Sequence, residues 1–163
     1  VITLVVLLAW AAALAVLDWR QRRLPNQLLL SGLIIGGIHV TAYGTMPYGT
    51  SLLDGATTAP LAIALLWPLY RMGWMGAGDV KLCATIGWLG GYQTLASVFL
   101  IGSVIAGLLA LAILSPGLAR HLSGPGLDQR LQRRVPLGAA LAMALLGWTV
   151  LVRMPQVAGT PLG

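Results

Sequence analysis

Apolar residues fill six runs of the chain, Val1–Leu17, Leu28–Tyr43, Leu52–Tyr70, Val80–Leu89, Thr94–Leu114 and Pro136–Val152, with short polar stretches between them. Runs of this kind predict six helical segments. The first has the length of a signal peptide but no basic leading region, so it reads as a retained helix; the chain does not begin with Met, which leaves room for preceding residues. The fourth run holds about ten residues, too few to cross a hydrocarbon core of roughly 30 Å at 1.5 Å per residue. It is expected either to lie as a partial helix among the others or to continue through Gly90-Gly91 with a break. Pro60 and Pro68 are expected to kink the third segment, and Pro125 between Gly124 and Gly126 marks the longest connection as a flexible loop. Gly32 with Gly36, and Gly102 with Ala106, are small residues four apart that let helices approach closely in lipid. No internal repeat is visible, and residues 1–163 read as a single transmembrane domain.

Composition turns this pattern into a fold class. With 58% hydrophobic and 9% charged residues and a mean hydropathy of +0.86, the chain is too apolar for a soluble domain of its size and reads as an all-α polytopic membrane protein. A net charge of +6 raises the question of nucleic acid. The basic residues, however, stand in short clusters between apolar runs, so they act as topology signals and no nucleic-acid partner is expected. Arg20, Arg22 and Arg23 follow the first run, Arg71 and Lys81 the third, and Arg120, Arg130, Arg133 and Arg134 the fifth, leaving only Arg153 for the opposite side. The expected topology therefore puts those three connections in the cytoplasm and both termini outside. The single cysteine, Cys83, excludes an intrachain disulfide and a multi-cysteine zinc site and reads as a small buried hydrophobe.

Acids are scarce: Asp18, Asp54, Asp79 and Asp128, with no Glu. A carboxylate within a bilayer costs roughly 2.5–3.5 kcal/mol on insertion scales, so one kept at a segment edge calls for an explanation. Asp79 ends Gly76-Ala77-Gly78-Asp79 and is followed by Val80 and Lys81. Gly76 and Gly78, without Cβ atoms, allow unusual backbone angles and close approach of another chain beside the acid. The same residues also suit a plain loop followed by a helix-opening Asp that favours the helix dipole. Asp18 closes the first run, and taken alone it is a solvated helix-end acid balanced by the nearby arginines. Charge sorting assigns Asp18 and Asp79 to one membrane face, and Asp54 to the outer loop. Two carboxylates within a few ångströms share a proton, and the pair can then activate water while polarising a carbonyl, which is aspartic-protease chemistry.

Gly-Ala-Gly-Asp-Val-Lys at 76–81, with Asp18 at an earlier helix end and Leu24-Pro25-Asn26 after it, resembles the type IV prepilin peptidases, membrane aspartic proteases of the GxGD class. Arg134-Val135-Pro136-Leu137-Gly138 before the last segment resembles a further family motif, with Leu137 where an aromatic is usual. Presenilin-like proteases share GxGD, but a Tyr-Asp pair typically carries their first acid, whereas Leu17 precedes Asp18 here. The resemblance implies Asp18 and Asp79 as the catalytic pair. It also implies cleavage of the basic leader, at its junction with the following hydrophobic helix, of type IV prepilins or pseudopilins at the cytoplasmic face of a bacterial or archaeal cytoplasmic membrane. Larger family members add a four-cysteine cytoplasmic domain and N-methylate the product. Neither is expected here, and the length resembles the peptidase-only form associated with tight-adherence or Flp-type pili.

Around that pair, Gly76, Gly78, Lys81, Pro25 and Asn26 are supporting candidates. Lys81 could tune the pair or meet lipid phosphate, and Asn26 could position substrate or cap the second helix. Arg20, Arg22 and Arg23 could hold anionic headgroups. Trp74 and Trp88 flank the motif as candidate walls of the site, and Asp128 reads as an ion-pair partner within a basic loop. His39 and His121 are too far apart to suggest a metal site, and no cofactor is expected. The alternatives are a small transporter or channel subunit using Asp79 and Lys81, which would call for paired half-repeats, and a non-catalytic pilus-assembly subunit, which would need neither acid.

Overall fold

The computed structural model describes residues 2–21, 25–114 and 137–153, and these are largely helical. Among the described residues the helical elements are α1 (Ile2–Gln21), α2 (Asn26–Tyr43), α3 (Leu52–Arg71), α4 (Ala77–Leu114, two arms either side of Gly91) and α5 (Leu137–Trp148), the last ending in a π-helical turn over Thr149–Arg153. Two stretches, Leu52–Arg71 and Ala77–Leu111, are long and apolar enough to cross a membrane; Ile2–Asp18 and Gly138–Leu151 are shorter apolar helices. Large apolar side chains point outward along the bundle, among them Leu53, Leu65, Leu108 and Leu111, each more than 60% exposed. An outer surface of this kind suits lipid and not water.

The fourth run continues through Gly90-Gly91 with a break, one of the two arrangements expected for a segment too short to cross alone. The fourth and fifth runs belong to one element, α4, broken at Gly91 with φ 67° and ψ −172°. That backbone is open to glycine and strained for any residue with a Cβ. The chain reverses there. Leu95 reaches to 3.5 Å from where a Cβ on Gly87 would stand, although eight residues of straight helix would separate them by about 12 Å. The first arm, 77–90, is the buried centre of the bundle, with Leu82, Cys83, Ile86 and Leu89 fully enclosed. The second arm returns beside α5, where a Cβ on Gly102 would meet Leu141. Cys83 is thus the buried small residue its surroundings predicted.

Lipid tails are as apolar as leucine, so close packing and hydrogen bonds hold such a bundle together more than removal of apolar surface from water. Small residues provide the approach. A Cβ on Gly32 would collide with Trp10 and Thr85, one on Gly36 with Trp88, and one on Gly55 with the main-chain carbonyl of Trp88. Indole N–H groups add bonds between helices, Trp10 donating to the Leu28 carbonyl at 2.7 Å and Trp88 to that of Leu33 at 3.2 Å. The helix α3 runs through Pro60 and Pro68 without interruption. Asp54, expected in the outer loop, lies in the first turn of α3, whose N-cap Ser51 accepts the Asp54 N–H at 3.1 Å.

Contacts sort the two ends of the bundle. At one end Thr3 meets His39 at 3.0 Å, and the loop between α2 and α3 folds inward so that Tyr48 hydrogen-bonds Thr149 at 2.8 Å. Tyr48 N–H also donates to the carbonyl of Leu89, just before the break in α4. At the other end lie the C-terminus of α1 and the N-termini of α2, α4 and α5, and there two of the sparse acids, Asp18 and Asp79, converge.

Candidate active site

Asp18 sits in the last turn of α1 and is buried, with 6% of its surface exposed. Its Oδ2 accepts the main-chain N–H of Ala139 at 2.6 Å. That donor belongs to the first turn of α5, whose N–H groups have no partner within the helix and whose dipole favours an anion. Asp79 is half-buried in the first turn of α4. The turn is closed by the Gly76 carbonyl, which accepts N–H groups from Asp79 at 3.1 Å and Val80 at 3.3 Å.

Gly138 fixes how near the two acids come. A Cβ built on this glycine would stand 2.9 Å from Asp18 Oδ2 and 2.9 Å from Asp79 Oδ1. Twice 2.9 Å, about 6 Å, is therefore the most that can separate those oxygens. The ends of two helices 61 positions apart in sequence thus present carboxylates to one small space, with the start of a third helix as its floor.

The remaining candidates divide. Gly76 is exposed and lies against Asp79, where a Cβ would come 3.2 Å from Oδ2. The unusual backbone angles expected at Gly76 and Gly78 are not found: the left-handed glycine of this connection is Gly73, at φ 75°. Gly78 is half-buried. Pro25, and not Asn26, occupies the N-cap of α2, with extended backbone and no side-chain capping bond. Asn26 instead turns its carbonyl oxygen to Lys81, which donates to it at 3.0 Å on the exposed rim. The sequence weighed each residue separately and did not foresee their pairing. Of the two tryptophans, Trp88 does not wall the site as expected. Trp74 is 76% exposed, and Trp88 packs between α2 and α4, about 13 Å along the helix from Asp79. Arg22, Arg23, Leu24, Arg120, His121, Gly124, Pro125, Gly126, Asp128, Arg130, Arg133, Arg134, Val135 and Pro136 lie outside the described residues. Among the described residues no group of three or more His, Cys, Asp or Glu side chains could hold a metal ion.

Residues 5–111, which include both aspartates, match the family described as Type IV leader peptidase family. The chain belongs to that family. Relatives of the type IV leader peptidases named prepilin leader peptidase/N-methyltransferase include one from Stutzerimonas stutzeri, 30% identical over 161 residues, covering 96% of this chain and 51% of the relative. Another from Aeromonas hydrophila is 34% identical over 158 residues, covering 90% and 48%. A third, from Escherichia coli K12, is 31% identical over 147 residues, covering 83% and 59%. The chain spans about half the length of these curated relatives. No solved structure matches.

The donor that sequence reasoning missed is the Ala139 N–H. A main-chain group leaves no mark in side-chain identity, and the only signal was that Gly138 closes a family-like motif at the start of an apolar run.

Proposed function

We propose that this leader-peptidase-family chain acts as a membrane aspartic endopeptidase on type IV prepilins or pseudopilins, with Asp18 and Asp79 as its catalytic pair. The observation that carries the reading is that both carboxylates, among the few acids of the chain, border one space less than about 6 Å across. In the reaction the ionised member takes a proton from water, whose oxygen attacks the scissile carbonyl carbon. The protonated member passes its proton to that carbonyl oxygen as negative charge develops on it, giving a gem-diol and leaving the pair with one proton. The resulting diol then collapses: the C–N bond breaks and a proton passes to the leaving nitrogen. A leader with a new carboxylate and a mature chain with a new amine are released, and the pair again holds one proton.

Position supports the substrate class. The site lies at helix ends beside a lipid-suited surface, and Gly76 and Ala77 are exposed next to Asp79. A precursor whose hydrophobic helix stays in the bilayer could bring its leader junction there without leaving the membrane. The distribution of Lys and Arg supports a cytoplasmic site with both termini outside. Flp-type or tight-adherence precursors are the narrower substrate we infer.

Purified chain in detergent, mixed with a peptide carrying a prepilin-like leader and the start of its helix, tests the reading. Asp18→Asn and Asp79→Asn should each slow cleavage by roughly 10²–10⁴-fold. Full cleavage by either variant would rule out the pair.

A further inference from the structure

We propose that Gly138 is a positioning residue whose missing side chain holds open the space in which Asp18 and Asp79 meet water and the scissile carbonyl. This rests on the proposed pair. A Cβ on Gly138 would stand 2.9 Å from an oxygen of each carboxylate and 3.1 Å from Asp18 Cγ. These distances are tighter than ordinary carbon–oxygen contact, and they involve both acids at once. Neither neighbour is the loose end of a long side chain: Asp18 is buried and tied to the Ala139 N–H at 2.6 Å. Asp79 sits against Gly76. A methyl group could be admitted only if the carboxylates turned away from each other, and it would fill the place where they face one another.

Other glycines in the bundle have a different task. A Cβ on Gly102 would also be crowded, at 2.8 Å from Leu141 Cδ2 and 3.1 Å from its Cα, but its neighbour is apolar. Gly102 joins helices, whereas Gly138 faces the acids. A displacement of about 1 Å in reacting groups can cost on the order of 10²-fold in rate, so the two glycines should fail differently.

Gly138→Ala, Gly102→Ala and Asp18→Asn would be compared with wild type by kcat, KM, pH–rate profile and thermal unfolding in detergent. Gly138→Ala should lose at least about 10²-fold in kcat, keep KM within about threefold, and alter the pH profile. Gly102→Ala should lower the unfolding temperature while the folded fraction keeps the wild-type kcat and pH profile. A Gly138→Ala protein with kcat near wild type, or one that loses rate only in step with folded protein at an unchanged profile, would overturn the proposal. If Asp18→Asn stays active, the pair itself fails; if it is inactive while Gly138→Ala works normally, only the role of Gly138 falls. Should Gly138→Ala not fold, it is placed in an Asp18→Ala, Asp79→Ala background, where the methyl has no carboxylates to meet. Folding equal to that background supports the proposal, and continued failure to fold overturns it.

Discussion

Lys81 and Asn26 make the clearest contrast with the acids. Their hydrogen bond spans 3.0 Å between the starts of α4 and α2 and is exposed, so it pins two helix ends at the rim of the site. Losing such a bond should cost about 1 kcal/mol or less of stability. Lys81→Ala and Asn26→Ala are each expected to lower the cleavage rate by less than about tenfold, equivalent to about 1.4 kcal/mol. The double variant should be little worse than either single one, because both remove the same bond. Rate measurements on the three proteins check this, and a loss as large as that of Asp79→Asn would move Lys81 into the chemistry. Proton bookkeeping gives a second expectation for the pair. The proposed pair holds one proton between its two carboxylates, so rate should fall on the acid side as both become protonated and on the alkaline side as the proton is lost. A pH–rate profile of kcat checks it; a rate climbing steadily past the alkaline limb would contradict the shared proton.

Helices here are defined as much by where they stop as by their composition. The apolar runs 80–89 and 94–114 look alike in character, yet Gly90-Gly91 separates a buried upright arm from a returning one. At φ 67° and ψ −172°, Gly91 has a backbone strained for any residue with a Cβ, and Asp54 Cβ stands 3.3 Å from a Cβ built on it. Gly91→Ala should therefore lose roughly 1–3 kcal/mol from backbone strain, seen as a lower unfolding temperature in detergent. Gly55 tests packing without strain. A side chain there would meet the Trp88 carbonyl oxygen, which cannot swing aside. Gly55→Val is expected to cost at least about 1–3 kcal/mol by forcing α3 away from α4.

The bundle holds its site at one end and its clamp at the other. Tyr48 and Thr149 close the far end through a buried 2.8 Å bond between residues 101 positions apart, and Thr149 also donates to the Leu145 carbonyl at 2.7 Å. Tyr48→Phe should cost about 1 kcal/mol and leave cleavage chemistry unchanged, since the change lies at the opposite end from the acids. Topology is tested by accessibility in intact cells. A cysteine at Trp74, exposed beside the site, should react with a membrane-impermeant thiol reagent only after the cytoplasmic side is opened. One at Tyr43, exposed at the other end, should react from outside. The reverse pattern would overturn the inferred orientation.

Hydropathy made the helical membrane character legible, because a chain with so few charges must place nearly every segment in an apolar setting. Charge sorting made Asp18 and Asp79 neighbours in topology, since both fall at the basic ends of runs. Two features depended on the third dimension. How the two arms of α4 turn back on each other required the backbone at Gly91, because Gly90-Gly91 in sequence permits a break without fixing its angle. How near the acids stand, and what lies between them, was decided by α5: Gly138 and the Ala139 N–H occupy the gap by virtue of packing between elements distant along the chain. Composition records which side chains are available, but a main-chain donor and a missing Cβ acquire meaning only from what is folded against them.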